Sequence, residues 1–131
     1  MRGLLLDTHV WLWYISGDEH LRRRTRKLID ASLEDCWLSP VTIWETGVLR
    51  ERGKIRIRED FRSWVETSRK RVPLRPAPFN HEVALAVSEL DLEHRDPADR
   101  FLAATAQVYE LRLLTVDRRL LEARSVPTLA A

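Results

Sequence analysis

The stretch LLLDTHVWLW, residues 4–13, joins three consecutive leucines to an aspartate and then to a run of large apolar side chains. An unbroken apolar run of this length, closed by an acid, reads as a strand buried on both faces, the pattern of a parallel sheet. Asp7 then stands at the strand's C-terminal end. From Thr8, the apolar positions Val10, Trp11, Leu12, Trp13, Tyr14 and Ile15 predict a short buried helix stopped by Gly17.

The same strand-then-helix grammar recurs along the chain. A helix opening at Asp18 turns Leu21, Leu28 and Ile29 inward, and Trp37-Leu38 forms a second short strand. Ser39-Pro40 starts the next helix, because a hydroxyl satisfies orphan amides and proline is tolerated at the first helical position. Glu45 lies in its second turn, and the helix ends near Gly53. Phe61, Trp64 and Val65 mark another helix, a brief strand is expected around Leu74, and Asn80 caps a helix through Leu90. Behind Asp96 a helix runs from Pro97 to about Leu111, and Leu113 to Val116 form a buried strand that again ends on an aspartate, Asp117. A short helix from Arg118 to Ala123 and a strand from Val126 to Leu129 finish the pattern. Strands alternating with helices imply right-handed crossovers and a parallel sheet of four to five short strands between helical layers.

At 131 residues the chain suits a single domain over 1–131, since two would each have a marginal core. The balance of 44% hydrophobic and 32% charged residues excludes disorder as the expectation. No apolar run approaches the roughly 20 residues that a membrane span needs, and the N-terminus shows no secretory pattern, so a cytoplasmic protein is expected. The single cysteine, Cys36, lies in the apolar context Cys36-Trp37-Leu38 and reads as a buried structural thiol. A net charge of +2 proves no nucleic-acid partner, although arginines cluster over 22–26, 50–58 and 69–75.

Chemistry enters where the strands end. In an open parallel sheet the functional crevice lies beyond the carboxyl ends of the strands. Asp7 and Asp117 end two strands there; Glu45 sits early in one helix, and Asp96 and Asp99 at the start of another. Acids brought together at one edge repel unless a cation neutralises them, and a hard divalent ion such as Mg²⁺ or Mn²⁺ is the natural counter-charge. Such a centre suits phosphodiester hydrolysis by metal-activated water. Each acid also has a structural reading, as an Asx turn for Asp7, an exposed helix glutamate for Glu45, or a cap for Asp117.

Four motifs in sequence order, LLLDTHVWLW, LSPVTIWETG, HRDPADRFLAATA and LLTVDRRL, closely resemble the PIN-domain ribonucleases, and most of all the toxin subunits of VapBC-type toxin-antitoxin pairs. The resemblance spans Leu4 to Ala123. It implies a three-layer α/β/α fold and an endoribonuclease that uses Mg²⁺ or Mn²⁺ held by acids. Asp7, Glu45, Asp99 and Asp117 match the family's four acids. Asp96 belongs to a DPxDR variant of one branch and reads either as the helix cap, with Pro97 behind it, or as a further metal contact. Thr8 and Thr115 stand beside the acids and can orient them, while Arg100 is a candidate for substrate phosphate or for a structural ion pair. His9 and His94 flank the acids, but metal-activated water requires no histidine, and the resemblance assigns them no role.

The resemblance also implies partners: an RNA substrate, with transfer and ribosomal RNAs as candidates, a cognate antitoxin whose C-terminal segment covers the site, and a second copy in a homodimer. Five tryptophans, Trp11, Trp13, Trp37, Trp44 and Trp64, are many for this length, and a division between core and interface is expected. Two rivals stand beside the nuclease reading. A haloacid-dehalogenase-type phosphatase would need an aspartate where His9 stands. A catalytically silent PIN-like module that only binds RNA or protein would not need the full set of acids.

Overall fold

The computed structural model describes residues 3–131. The described residues form a five-stranded, wholly parallel sheet in the order β3-β2-β1-β4-β5. In chain order the elements are β1 (Leu4–Leu6), α1 (Thr8–Ser16), α2 (Arg23–Ala31), β2 (Cys36–Leu38), α3 (Pro40–Glu51), α4 (Phe61–Arg71) and β3 (Arg75–Pro76). They continue with α5 (His81–Ser88), α6 (Pro97–Val108), β4 (Arg112–Thr115), α7 (Arg118–Glu122) and β5 (Thr128–Ala130). No helix among them is long and apolar enough to cross a membrane.

The leucines of β1 are completely buried because each face of the sheet is covered. Leu4 and Leu6 pack with Val10, Trp11 and Ile15 of α1, Ile29 of α2 and Leu114. Leu5 points the other way, into a cluster with Leu102, Ala103 and Ala106 of α6, Leu113 and Leu120. This alternation across the strand, with a helical layer on either side, is the three-layer α/β/α arrangement expected from the sequence. Small residues on α6 let that helix lie close to the sheet, so its first turn stands over the strand ends.

The order places β1 at the centre. From it the chain steps outward to β2 and β3, then returns to build β4 and β5 on the other flank. The reversal falls between β1 and β4, whose paired registers run Leu4 to Arg112, Leu5 to Leu113 and Leu6 to Leu114. A crevice opens beyond the carboxyl ends of such a pair because the following helices leave to opposite faces. Asp7 and Asp117 lie at its mouth.

Caps define most boundaries. Ser39 Oγ accepts from Val41 N at 3.0 Å, Asn80 Oδ1 from Val83 N at 3.1 Å, and Asp96 Oδ1 from Asp99 N at 3.2 Å. Gly17 closes α1 in the left-handed region at φ 67°. Four expected boundaries are corrected. Helix α2 begins at Arg23, not Asp18, because the Asp18 carboxylate bonds the backbone and ring of His20 in a local turn. Helix α6 ends at Val108, short of Leu111; Glu110 turns to φ 55° and Leu111 N donates back to Ala106 O. The strand near Leu74 is the two-residue edge β3 at Arg75–Pro76, where proline costs no interior ladder bond. The last strand lies at 128–130.

The tryptophans divide as expected. Trp11 is buried and meets Trp64 edge-on, with ring centroids 5.7 Å apart. Trp13, Trp37 and Trp64 are half-buried, and Trp44 is 54% exposed. Cys36 is fully buried, and burial pushes its thiol up to about 11, as suits a structural thiol.

Candidate active site

Asp7 leaves β1 as the cap of α1. Its Oδ1 accepts from Thr8 N at 2.8 Å, and its Oδ2 accepts from the Thr115 hydroxyl at 2.5 Å. Thr115 is the last residue of β4, so this bond crosses the switch point directly. The same Thr115 oxygen accepts from Asp117 N at 3.0 Å. One hydroxyl thus fixes the spacing of the two strand-end acids. On the other side the Thr8 hydroxyl donates to Glu45 Oε1, bringing the second turn of α3 to the mouth of β1.

The opposite wall is the start of α6. Asp96 is the cap and remains exposed at the surface. Asp99, one turn in, is buried, and its Oδ2 lies 2.5 Å from His94 Nε2. The helix periodicity explains the division, because position 99 follows the apolar face that carries Leu102, Ala103 and Ala106. Asp117 caps α7 through Arg119 N at 2.9 Å, and Arg119 Nη2 lies 3.2 Å from Asp117 and 3.9 Å from Asp99.

Burial and mutual repulsion set the charges. Burial raises the Asp7 carboxyl above its ordinary value despite the Thr115 and Thr8 bonds, with Asp117 adding to the rise. Glu45 is raised by burial, against the lowering bond from Thr8, with Asp7 and Asp96 nearby adding to the rise. Asp99 is pushed up to about 6 by burial, partly offset by the His94 bond, and further by Asp7, Asp96 and Asp117. Burial pushes Asp117 upward too, but hydrogen bonds from Arg119 outweigh it and hold that carboxyl low.

Acids buried beside one another, three of them raised chiefly by burial and further by neighbouring carboxylates, are a donor set suited to a divalent cation, which would neutralise what the protein leaves uncompensated. One donor atom each from His94, Asp99 and Asp117 lie within 4.8 Å of one another. The residues present therefore fit a metal ion. Sequence reasoning set His94 aside, and it did not single out Arg119. The signal for His94 was its place in HRDPADR, five residues before Asp99, but a loop has no period from which to read direction.

Arg100 requires a correction. Its guanidinium donates to Leu92 O at 2.7 Å, His94 O at 3.2 Å and Val87 O at 3.3 Å. It pins the approach to α6 and pairs with no acid among the described residues, so the structural ion-pair reading gives way to a clamp on backbone carbonyls. A planar fork saturating carbonyls is a use of arginine that the sequence pattern does not reveal.

Comparison with known proteins places the fold and the family. Ribonuclease VapC22 of Mycobacterium tuberculosis is 29% identical over 121 residues, which cover 92% of this chain and 91% of that protein. The DNA-bound VapBC of Salmonella typhimurium contains a chain that superposes with a TM-score of 0.74 at 18% identity, covering 98% of each chain. FitAcB of Neisseria gonorrhoeae gives 0.68 at 24% identity, covering 97% of this chain and 96% of that one. At those identities the solved structures speak for the fold. The PIN domain family model matches residues 4–125, which take in β1, α6, β4 and every acid of the crevice, and the chain belongs to that family.

Proposed function

We propose that this chain is a Mg²⁺- or Mn²⁺-dependent endoribonuclease, the cytoplasmic, growth-inhibiting toxin of a type II toxin-antitoxin pair, with residues 1–131 acting as one catalytic domain. The observation that carries the reading is the convergence of Asp7, Glu45 and Asp117, tied together through Thr8 and Thr115, with the buried Asp99 facing them from the start of α6 at the β1/β4 switch point. The similarity to a ribonuclease across nine-tenths of the chain supports the same chemistry.

Asp7, Asp99 and Asp117, with Glu45 at the rim, would hold the cation, and Asp96 mainly caps α6. A divalent ion in such a site lowers the pKa of a bound water and offsets charge on the leaving oxygen. The chain's own part is positional. Thr115 prevents Asp7 and Asp117 from drifting apart, and Thr8 holds Glu45 by one oxygen, leaving Oε2 to take a proton from the attacking water. The products are an RNA cut at one phosphodiester bond.

A largely apolar groove of about 550 Å³ lies between α3, α4 and the β2–β3 edge, lined by Leu38, Ile43, Trp44, Val65 and Leu74 with Arg69 as its charged member. With Trp44 on its rim, it suits a protein partner, and we assign it to the cognate antitoxin. Several of the similar solved structures are VapBC complexes or a toxin-antitoxin complex, which supports an antitoxin as the kind of partner. A homodimer accords with the same family.

Purified protein should cleave transfer or ribosomal RNA with Mg²⁺ or Mn²⁺ and not with chelator present. Glu45→Gln should reduce cleavage by about 100-fold or more while leaving the fold intact. Native-rate cleavage by that variant would remove Glu45 from the mechanism. A wild-type chain that binds RNA but never cuts it would establish the silent-module reading instead.

A further inference from the structure

The loop before α6 contains one side chain that does not behave like a loop residue. Glu93, Arg95 and Asp96 are exposed, whereas the His94 side chain is only 8% exposed. It is turned into the crevice, with Nε2 at 2.5 Å from Asp99 Oδ2 and within the 4.8 Å set that includes Asp117. The orientation is enforced. Arg100, adjacent in sequence to Asp99, clamps the Leu92 and His94 carbonyls, so α6 carries both the acid and the anchor of the imidazole.

We infer that His94 is a nitrogen ligand of the divalent cation held by Asp99 and Asp117, and that it biases this centre toward Mn²⁺ over Mg²⁺. The inference rests on the metal-dependent reading above and extends its all-oxygen donor set. Around an ion bound at roughly 2.1 Å, adjacent donors stand about 3 Å apart and opposite donors about 4.2 Å, so His94 Nε2 and Asp99 Oδ2, now 2.5 Å apart, must open by about half an ångström and release the proton between them to solvent, while the reach to Asp117, within 4.8 Å, closes by well under one. Mg²⁺ prefers oxygen donors and retains its waters. An imidazole nitrogen adds affinity for first-row transition ions, of which Mn²⁺ is the one that also accepts a carboxylate-rich site. Arg119 borders the same two aspartates, but its side chain is 64% exposed and can move outward as a cation takes over their charge.

The alternative role for His94 is an ion-pair partner of Asp99 that never meets the metal. Pulsed electron paramagnetic resonance of the full chain loaded with Mn²⁺ alone, without RNA, separates the two. The expected result is ¹⁴N modulation from a coordinated imidazole, replaced by a ¹⁵N pattern when the protein is labelled with ¹⁵N-histidine. His94→Gln should remove that signal and weaken Mn²⁺ binding by about tenfold or more, with a smaller loss for Mg²⁺.

A wild-type Mn²⁺ complex with no nitrogen coupling overturns the inference, whatever the variant's folding. So does coupling that survives in a folded His94→Gln, since its source would then be a nitrogen other than that of His94. Equal weakening of both ions also counts against it. Mn²⁺-dependent RNA cleavage without nitrogen coupling would leave the nuclease reading standing while removing His94 from the metal. A chain that neither binds a divalent ion nor cleaves RNA would end both.

Discussion

Two halves of the crevice hold their acids by different means. On the β1 side, Asp7 is buried against Thr8 and Thr115, with hydroxyl and amide bonds to both its oxygens, and Glu45 is tied to Thr8. On the α6 side, Asp99 has His94, Asp117 has the exposed Arg119, and Asp96 faces solvent as a cap. The inner half is positioned by neutral donors, Thr115 at the end of β4 and Thr8 at the start of α1, and so keeps its geometry whatever its charge. The outer half is positioned by charged or titratable partners on loops and short helices. It is the half that can respond to metal, substrate or pH.

The sharpest way to break this contrast is Asp7→Asn. An asparagine oxygen can replace either acceptor, so the cap and the Thr115 bond have a route to survive while the charge disappears. RNA cleavage should fall by on the order of 10³-fold. The thermal midpoint of the metal-free protein should rise, because a buried carboxylate raised by burial and by Asp117 is replaced by a neutral group. A variant that loses both activity and stability would show that the inner half depends on charge after all.

Thr115→Val tests the same half from its neutral side. The hydroxyl is fully buried and serves Asp7 Oδ2 and Asp117 N together. Its loss leaves two polar groups without this partner, and denaturant unfolding should register a cost of about 1–3 kcal/mol. Cleavage should fall as well, through kcat more than KM, because the two strand-end acids lose their common spacer. An unchanged unfolding curve would mean that the strands alone set the spacing.

How much of this was legible in the sequence follows the same division. Asp7, Asp117 and the parallel sheet could be read because apolar runs ending on acids are local patterns, and Ser39-Pro40 and Asp96-Pro97 announce helix starts through chemistry confined to a few residues. Asp99 could be separated from Asp96 because α6 has an apolar period against which to measure them. The start of α2 was misplaced because Asp18 is as good a turn former as a cap, and its carboxylate chose His20. The end of α6 was missed because Glu110, not glycine, takes the left-handed position. His94, Arg100 and Arg119 act through loop conformation and tertiary contact, for which one sequence has no period.

The outer half should reveal itself by pH. Asp99 rises from 3.8 to about 6 in the folded chain, so its protonation favours folding. That contribution is complete below 3.8 and is lost as pH rises through about 6. Asp99→Asn mimics the protonated form. In metal-free protein, the midpoint of this variant minus that of the wild type should therefore grow between pH 4 and 7, by on the order of 5 °C. Mn²⁺ should shrink or reverse the gap by stabilising only the wild type. A gap independent of pH would mean that neither burial nor the neighbouring acids raise Asp99.

Arg119→Ala carries the smallest expected effect, and it sharpens the contrast most finely. The arginine contacts Asp117 and lies near Asp99, yet it is solvent-exposed, where screening and the ordering of a long side chain cancel most of an ion pair's gain. The thermal midpoint should not move measurably. What should move is charge, with the Asp117 carboxyl rising because the guanidinium bond and its positive charge are gone, while the backbone N–H bonds from positions 119 and 120 still hold it down in part. Divalent-ion affinity, followed by titration at low ionic strength, should strengthen by no more than about threefold, because a positive neighbour no longer competes for the same oxygens. Loss of stability on this substitution would mean that the outer half is locked as firmly as the inner one, and the division between them would have to be drawn elsewhere.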